Sequence, residues 1–203
     1  MASFYAKLFA KYYDKYMASF ETKIVNDRKK MLKNLTGTVL DIGSGTGVNF
    51  KHFNNDVKVF AIEPSRPMVD LSLEKVNGKN IKVVNLDVND YRLKYVFDDH
   101  SIDTIVSTLV LCTIKDPDLA LENFKKWLKP GGKLIIIEHI HSDKKGKAFF
   151  ETMINPLWKV FSEGCNLNRH TDELIKSKGF KPLEEHYFTI GLRIHKGVFV
   201  LEK

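Results

Sequence analysis

Three glycines at alternate positions lie in the run Val39-Leu40-Asp41-Ile42-Gly43-Ser44-Gly45-Thr46-Gly47. Glycines so placed let a backbone turn sharply from strand into helix and let a ligand approach its amides. The spacing is G-x-G-x-G, which departs from the G-x-G-x-x-G of dinucleotide sites. Two acids follow, each closing a β-rich run. Glu63 ends Val57 to Ile62 and can accept both hydroxyls of a ribose, while it would repel a 2′-phosphate. Asp87 ends Ile81 to Leu86 and can accept an exocyclic amine of adenine, with the Val88 amide facing a ring nitrogen. Three successive strand ends thus suit three parts of one adenosyl ligand, at the carboxyl edge where such sheets bind ligands.

Further along, His139 closes a fifth strand and His141 follows two residues later. His139 is the better candidate base, because the strand end faces the substrate side. Arg169, in the segment Gly164-Cys165-Asn166-Leu167-Asn168-Arg169, is a candidate for holding an anionic group or its own loop. The two cysteines, Cys112 and Cys165, are too few for a disulfide scaffold, and their spacing makes no metal-ligand pair. The sequence predicts no metal and a reducing, cytoplasmic setting.

Alternating elements must position these residues. Apolar positions from Tyr5 to Phe20 recur at three- and four-residue steps and predict an opening helix. A second helix is expected from Thr22 to Leu35, ending at Gly37. Strands are expected at 38–42, 57–62, 81–86, 102–111 and 133–137. Helices are expected between them at 48–53, 65–75 and 118–128. Strands alternating with helices argue for a parallel sheet covered on both faces. The stretch 143–163 reads as one or two inserted helices and 171–178 as another. Late strands at 183–190 and 193–201 meet in a tight turn at Gly191, so they must pair antiparallel.

The 203 residues carry 43% hydrophobic and 28% charged residues, which excludes disordered and fibrous classes and fits a single domain. Net charge is +7, yet the lysines are scattered, so a solvated basic surface is the plainer reading than a nucleic-acid groove. No run reaches the ~18 apolar residues of a membrane span. The aromatic and lysine-rich opening helix leaves a peripheral membrane contact open.

The motif 39–47, Glu63, Asp87 and the block Leu128-Lys129-Pro130-Gly131-Gly132-Lys133-Leu134 resemble the class I S-adenosylmethionine-dependent methyltransferases. The resemblance is close over residues 36 to 140. It implies an α/β, Rossmann-like, doubly wound sheet of seven strands in the order 3-2-1-4-5-7-6, with strand 7 antiparallel. It divides the single domain into a helical lid (1–35), a cofactor-binding core (36–140) and substrate-side helices with a hairpin (141–203). It implies S-adenosyl-L-methionine as cofactor. Gly43, Ser44, Gly45, Thr46 and Gly47 would line its methionine part and ribose, and Asp41 would orient the loop or meet the amino group. Glu63 would hold the ribose, and Asp87 with Val88 the adenine. Met68 would pack near the adenine, with Thr108 and Leu109 near the methionine moiety. Tyr13, in Tyr13-Asp14, would reach toward the cofactor from the lid.

Ser107 to Thr113, Asp116-Pro117 and Glu138-His139 resemble the small-molecule branch. Asn155-Pro156-Leu157-Trp158 and the 164–169 segment look most like its thiol methyltransferases. The animal thiol enzymes carry an apolar N-terminal anchor that this sequence does not show, so membrane residence is not expected to transfer. After the fourth strand the sequence reads Ser107-Thr108-Leu109-Val110, without the Asn/Asp-Pro-Pro-aromatic motif of amino-methylating nucleic-acid enzymes, which argues against adenine-N6 methylation. Phe4, Phe9, Tyr16, Phe149, Phe150, Trp158 and Phe161 could wall an apolar pocket suited to a lipophilic acceptor or could equally be core. A small-molecule acceptor, a thiol or a lipophilic compound, is therefore expected. An RNA or protein methyltransferase and a catalytically silent cofactor-binding subunit are the rival readings; loop spacing disfavours NAD-dependent oxidoreduction.

Overall fold

A computed structural model describes residues 4–201. The chain begins with α1 (Phe4–Leu32) and continues through β1 (Thr38–Ile42), β2 (Lys58–Ile62), α2 (Arg66–Leu73), β3 (Ile81–Val84) and β4 (Ile102–Thr108). It then forms α3 (Pro117–Trp127), β5 (Leu128–Ile140), α4 (Lys145–Phe161), α5 (Thr171–Ser177), β6 (Phe180–Ile190) and β7 (Leu192–Leu201). Short 3-10 turns occupy Phe50–His52 and Tyr91–Tyr95.

The seven strands lie in the order β3-β2-β1-β4-β5-β7-β6. β1 to β5 run parallel, while β7 is antiparallel to both β5 and β6. This is the expected order. The central strands are apolar on both faces because helices cover both. Alternation sorts their side chains between two cores. Leu40, Ile105, Leu134 and Ile136 join one with Phe124 and Trp127 of α3; Val39, Val106 and Ile135 join the other with Phe50, Phe53 and Leu32. α3 shows how sequence sets such a helix. Asp116 caps it by accepting the Leu119 N–H at 2.9 Å, Pro117 starts it, and Ala120, Leu121, Phe124 and Trp127 form its buried stripe. Each large apolar side chain fully buried this way contributes about 1.5–3 kcal/mol.

Several boundaries differ from expectation. The two opening helices are one 29-residue helix, since no glycine or proline interrupts 20–23. The stretch 48–53 is a turn with a 3-10 segment rather than a helix. β4 stops at Thr108 because Leu109 takes a left-handed φ of +60°, which breaks the strand ahead of the expected end at 111. The 143–163 insert is one helix, with Pro156 inside it.

Candidate active site

The loop after β1 forms the floor of the site. Gly43 and Gly45 take φ of +57° and +55°, a region that other residues rarely adopt. A Cβ on Gly43 would stand 2.5 Å from Val110 Cγ1, so the close approach of the β4 exit also demands glycine. A Cβ on Gly45 would meet nothing nearer than the Gly43 carbonyl at 4.0 Å, which leaves a cradle there. Glu63, at the end of β2, fastens this loop. Its Oε2 accepts the Gly45 N–H at 3.0 Å and its Oε1 accepts the Ser65 N–H at 2.7 Å. A carboxylate offers about four acceptor positions, so two stay available to a ligand. Burial pushes Glu63 up to about 7, against the pull of those two amides.

A cavity of about 1070 Å³ extends from this loop beneath α1 to α4. Gly43, Gly45, Glu63, Met68, Asp87, Val88, Leu109 and Tyr13, all anticipated for cofactor contact, line it together. Asp87 Oδ1 accepts the Asn89 N–H at 2.8 Å, which orients the carboxylate.

The other anticipated residues stand behind the wall. Asp41 is fully buried and accepts from Asn49 Nδ2 at 2.7 Å. Burial raises its carboxyl to about 7, although Asn49 and Arg28 pull it down. Thr108 joins the same network, receiving Asn49 Nδ2 at 3.2 Å and Arg28 at 3.0 Å. Arg28 also bonds the Asn49 side-chain carbonyl and pairs with Glu21 at 2.7 Å. Thr46 donates to Asp14 Oδ1 at 2.5 Å, and Lys75 pairs with Asp14 at 2.7 Å. Ser44 is buried, its N–H bonded to the Ile62 carbonyl, and Gly47 lies outside the cavity with a ring of Phe50 against it. Two polar clasps, at Asp14 and at Arg28, therefore bind α1 to the strand ends. Arg28, Asn49 and Glu21 were not singled out from sequence. A buried arginine in a lysine-rich helix carries no local signal, and only the folded helix brings it to Asn49.

The far end of the cavity is lined by Cys112, His139, Trp158, Phe161 and Cys165. His139 is buried at the end of β5, with Nδ1 3.6 Å from Cys165 Sγ. Burial opposes the charged ring, yet the bond and charge of Cys165 raise His139 above its ordinary range. Glu138, one residue earlier, organises the β4 exit. It accepts Ser107 Oγ at 2.7 Å, the Val110 N–H at 3.0 Å and the Leu111 N–H at 3.1 Å.

Arg169 does not line the cavity. Its guanidinium bonds the Leu111 carbonyl and, at 2.8 Å, the Ile114 carbonyl, so it clamps the same exit from outside. His141 points away to His170, at 3.1 Å, and to the Ala148 carbonyl. Among the aromatics, Phe9, Tyr16, Trp158 and Phe161 line the cavity. Phe4, Phe149 and Phe150 do not: they are 82%, 72% and 53% exposed on the outer faces of α1 and α4.

Open acceptor positions on Glu63, the cradle over Gly45 and the carboxylate of Asp87 fit a ribose and an adenine. Residues 40–136 match the family described as a methyltransferase domain. The thiol S-methyltransferase TMT1B of Mus musculus is 31% identical over 189 residues, covering 89% of this chain and 75% of that protein. TMT1B of Rattus norvegicus is 30% identical over 164 residues, covering 75% of this chain; the chain spans 66% of that relative's length, just under two thirds. Among solved structures, a phosphoethanolamine N-methyltransferase of Haemonchus contortus with S-adenosylhomocysteine superposes with a TM-score of 0.71 at 18% identity, covering 100% of this chain and 61% of the other. Sequence kinship over most of the chain and the shared strand order lead to one assignment: the chain belongs to the class I S-adenosylmethionine-dependent methyltransferases.

Proposed function

We propose that the protein methylates a small molecule, a lipophilic thiol first and a lipophilic carbon or amine second. The observation that carries this reading is the cavity itself. It joins the glycine loop and Glu63 at one end to a pocket of Phe9, Tyr16, Trp158 and Phe161 around Cys165 and His139 at the other. S-adenosylmethionine supplies a methyl group on a sulfonium, a good leaving group that needs little further activation.

The chain's own residues have three tasks: to hold the cofactor, to align the acceptor and to keep water out. Glu63, Asp87 and Val88 are the residues for adenosine, and Gly43 and Gly45 for close passage of the remainder. Asp41 and Thr108 act from behind, through Asn49, by fixing the floor. Tyr13 and the aromatic face of α1 close the roof, so α1 acts as a lid over the core. His139 stands where an acceptor would bind and favours its ionised form, since a nearby cation stabilises a thiolate. Arg169 serves by holding the Leu111 and Ile114 carbonyls.

The experiment is a panel of alkyl and aryl thiols, amines and quinols offered with S-adenosylmethionine and read by mass spectrometry. S-methylated thiols in preference to amines support the reading. Methylation of RNA or protein alone, falling steeply with salt, would replace it. Binding of S-adenosylhomocysteine without turnover on any acceptor would point to a silent subunit.

No helix among the described residues is long and apolar enough to cross a membrane. The outer face of α4 nevertheless exposes Met153, Leu157 and Val160 beside Phe149 and Phe150, with Lys145, Lys147 and Lys159 along the same helix and Lys144 just before it. That face suits a peripheral contact with an anionic bilayer, from which a lipophilic acceptor would enter. Vesicle flotation with Leu157→Glu as control tests it. Two free thiols in the site suit a reducing compartment, the cytoplasm.

A further inference from the structure

Cys112, His139 and Cys165 are scattered along the sequence, yet their ligand atoms all lie within 4.8 Å of one another. Each comes from a different part of the fold: the β4 exit, the end of β5 and the loop after α4. Each is also held in place. The Leu111 backbone beside Cys112 is fixed by Glu138 and Arg169. Asn166 donates both its backbone N–H and its Nδ2 to the Cys112 carbonyl, each at 2.9 Å, which ties the Cys165 loop to the Cys112 turn. The Cys165 Sγ to His139 Nδ1 distance is 3.6 Å. Tetrahedral zinc with Zn–S of about 2.3 Å and Zn–N of about 2.0–2.1 Å places sulfur and nitrogen roughly 3.6 Å apart. The Cys112 sulfur lies within 4.8 Å of both other ligand atoms and has to settle at roughly 3.6 Å from the imidazole nitrogen and roughly 3.8 Å from the Cys165 sulfur.

We propose that Cys112, His139 and Cys165 form a three-ligand zinc site whose fourth position opens into the acceptor end of the cavity and takes the sulfur of the acceptor thiol. Two sulfurs and one imidazole are a donor set that selects zinc over the hard cations. Three protein ligands with one open position are the pattern of a zinc site that binds a substrate. All three side chains line the same cavity as Glu63, so the fourth position faces the space where an acceptor meets the methyl donor. Coordination releases the acceptor's thiol proton to solvent and leaves a thiolate. His139 then acts as a ligand rather than as a free cation. The assignment of the fourth position rests on the thiol reading above; the metal site does not.

The test uses the full chain, reduced with a phosphine. Zinc is titrated against a chromophoric chelator, in wild type and in Cys165→Ser, Cys112→Ser and His139→Ala. One zinc per chain is expected, with affinity in each variant falling by more than the roughly 10- to 100-fold that loss of an outer-shell partner costs. Cobalt in place of zinc should give a sulfur-to-metal charge-transfer band that weakens in Cys165→Ser and shifts when thiophenol is added. Binding of S-adenosylhomocysteine, measured on the same samples, reports whether each variant is folded. Unchanged zinc affinity in a Cys165→Ser chain that still binds S-adenosylhomocysteine would overturn the site. A cobalt band indifferent to thiophenol would overturn the fourth-position assignment. Zinc binding without S-adenosylhomocysteine binding would instead remove the methyl-transfer reading and leave the metal site standing.

Discussion

Glu138 offers the sharpest perturbation. Its fully buried carboxylate accepts the Ser107 hydroxyl, the Val110 N–H and the Leu111 N–H, all of which would otherwise be buried donors. Glu138→Ala leaves three donors without an acceptor, each costing about 1–3 kcal/mol, and opens a cavity. Against this stands relief of a buried carboxylate, whose carboxyl burial already pushes above its ordinary range. The net expectation is a loss of about 3–5 kcal/mol, the size seen when a buried charged network loses a partner. For a domain of this length that lowers Tm by roughly 6–20 °C. Glu138→Gln retains one acceptor oxygen and should fall between wild type and alanine. Ser107→Ala removes one donor and should cost about 1 kcal/mol. Thermal unfolding by circular dichroism measures the series. Since Val110 also packs against Gly43, S-adenosylhomocysteine binding should weaken in the same order. An alanine variant within about 3 °C of wild type, with unchanged binding, would refute the claim that Glu138 builds the β4 exit.

Gly43→Ala should be destabilised by about 1–3 kcal/mol and bind S-adenosylhomocysteine at least tenfold more weakly, because it combines a positive φ with a contact against Val110; calorimetry checks this. Asp14→Ala removes the clasp to Thr46 and should raise KM for the cofactor more than it lowers kcat, with faster amide exchange across the first turns of α1. Binding should depend on pH. Burial raises Glu63 and Asp41 to about 7, and of the two only Glu63 lines the cavity, where ligand hydroxyl donors favour its ionised form. Affinity for S-adenosylhomocysteine should therefore rise as pH rises from 6 to 8, roughly tenfold for this one carboxyl. The free protein shows the opposite sign. Both carboxyls are protonated more readily folded than unfolded, so stability falls as pH climbs from about 4 toward 7. Chemical unfolding across that range measures the slope.

The sheet was readable in the chain because local signals coincide there. Glycine spacing, the acids Glu63 and Asp87 after two apolar runs and the glycine turn at Gly191 each mark a strand end, whereas the strand order is what the family resemblance implies. The remainder of the site depends on distance in sequence. Arg28 meets Asn49 and Thr108 only once α1 crosses the strand ends. Cys112, His139 and Cys165 show no metal spacing as a string, and they converge because Asn166 ties one loop to another. Arg169 carries a charge that suggested a ligand, yet backbone carbonyls occupy it. Phe149 and Phe150 had the composition of a pocket wall, but the helical phase of α4 turns them outward.

The central claim is that Glu63 both fastens the glycine loop and receives the cofactor. Calorimetric titration of S-adenosylhomocysteine into wild type and Glu63→Ala tests it most directly. Micromolar binding that falls at least a hundredfold in the variant, with about one proton released at pH 6 in wild type, is the predicted result. Equal affinities in a folded variant, or no binding by wild type, would contradict the account.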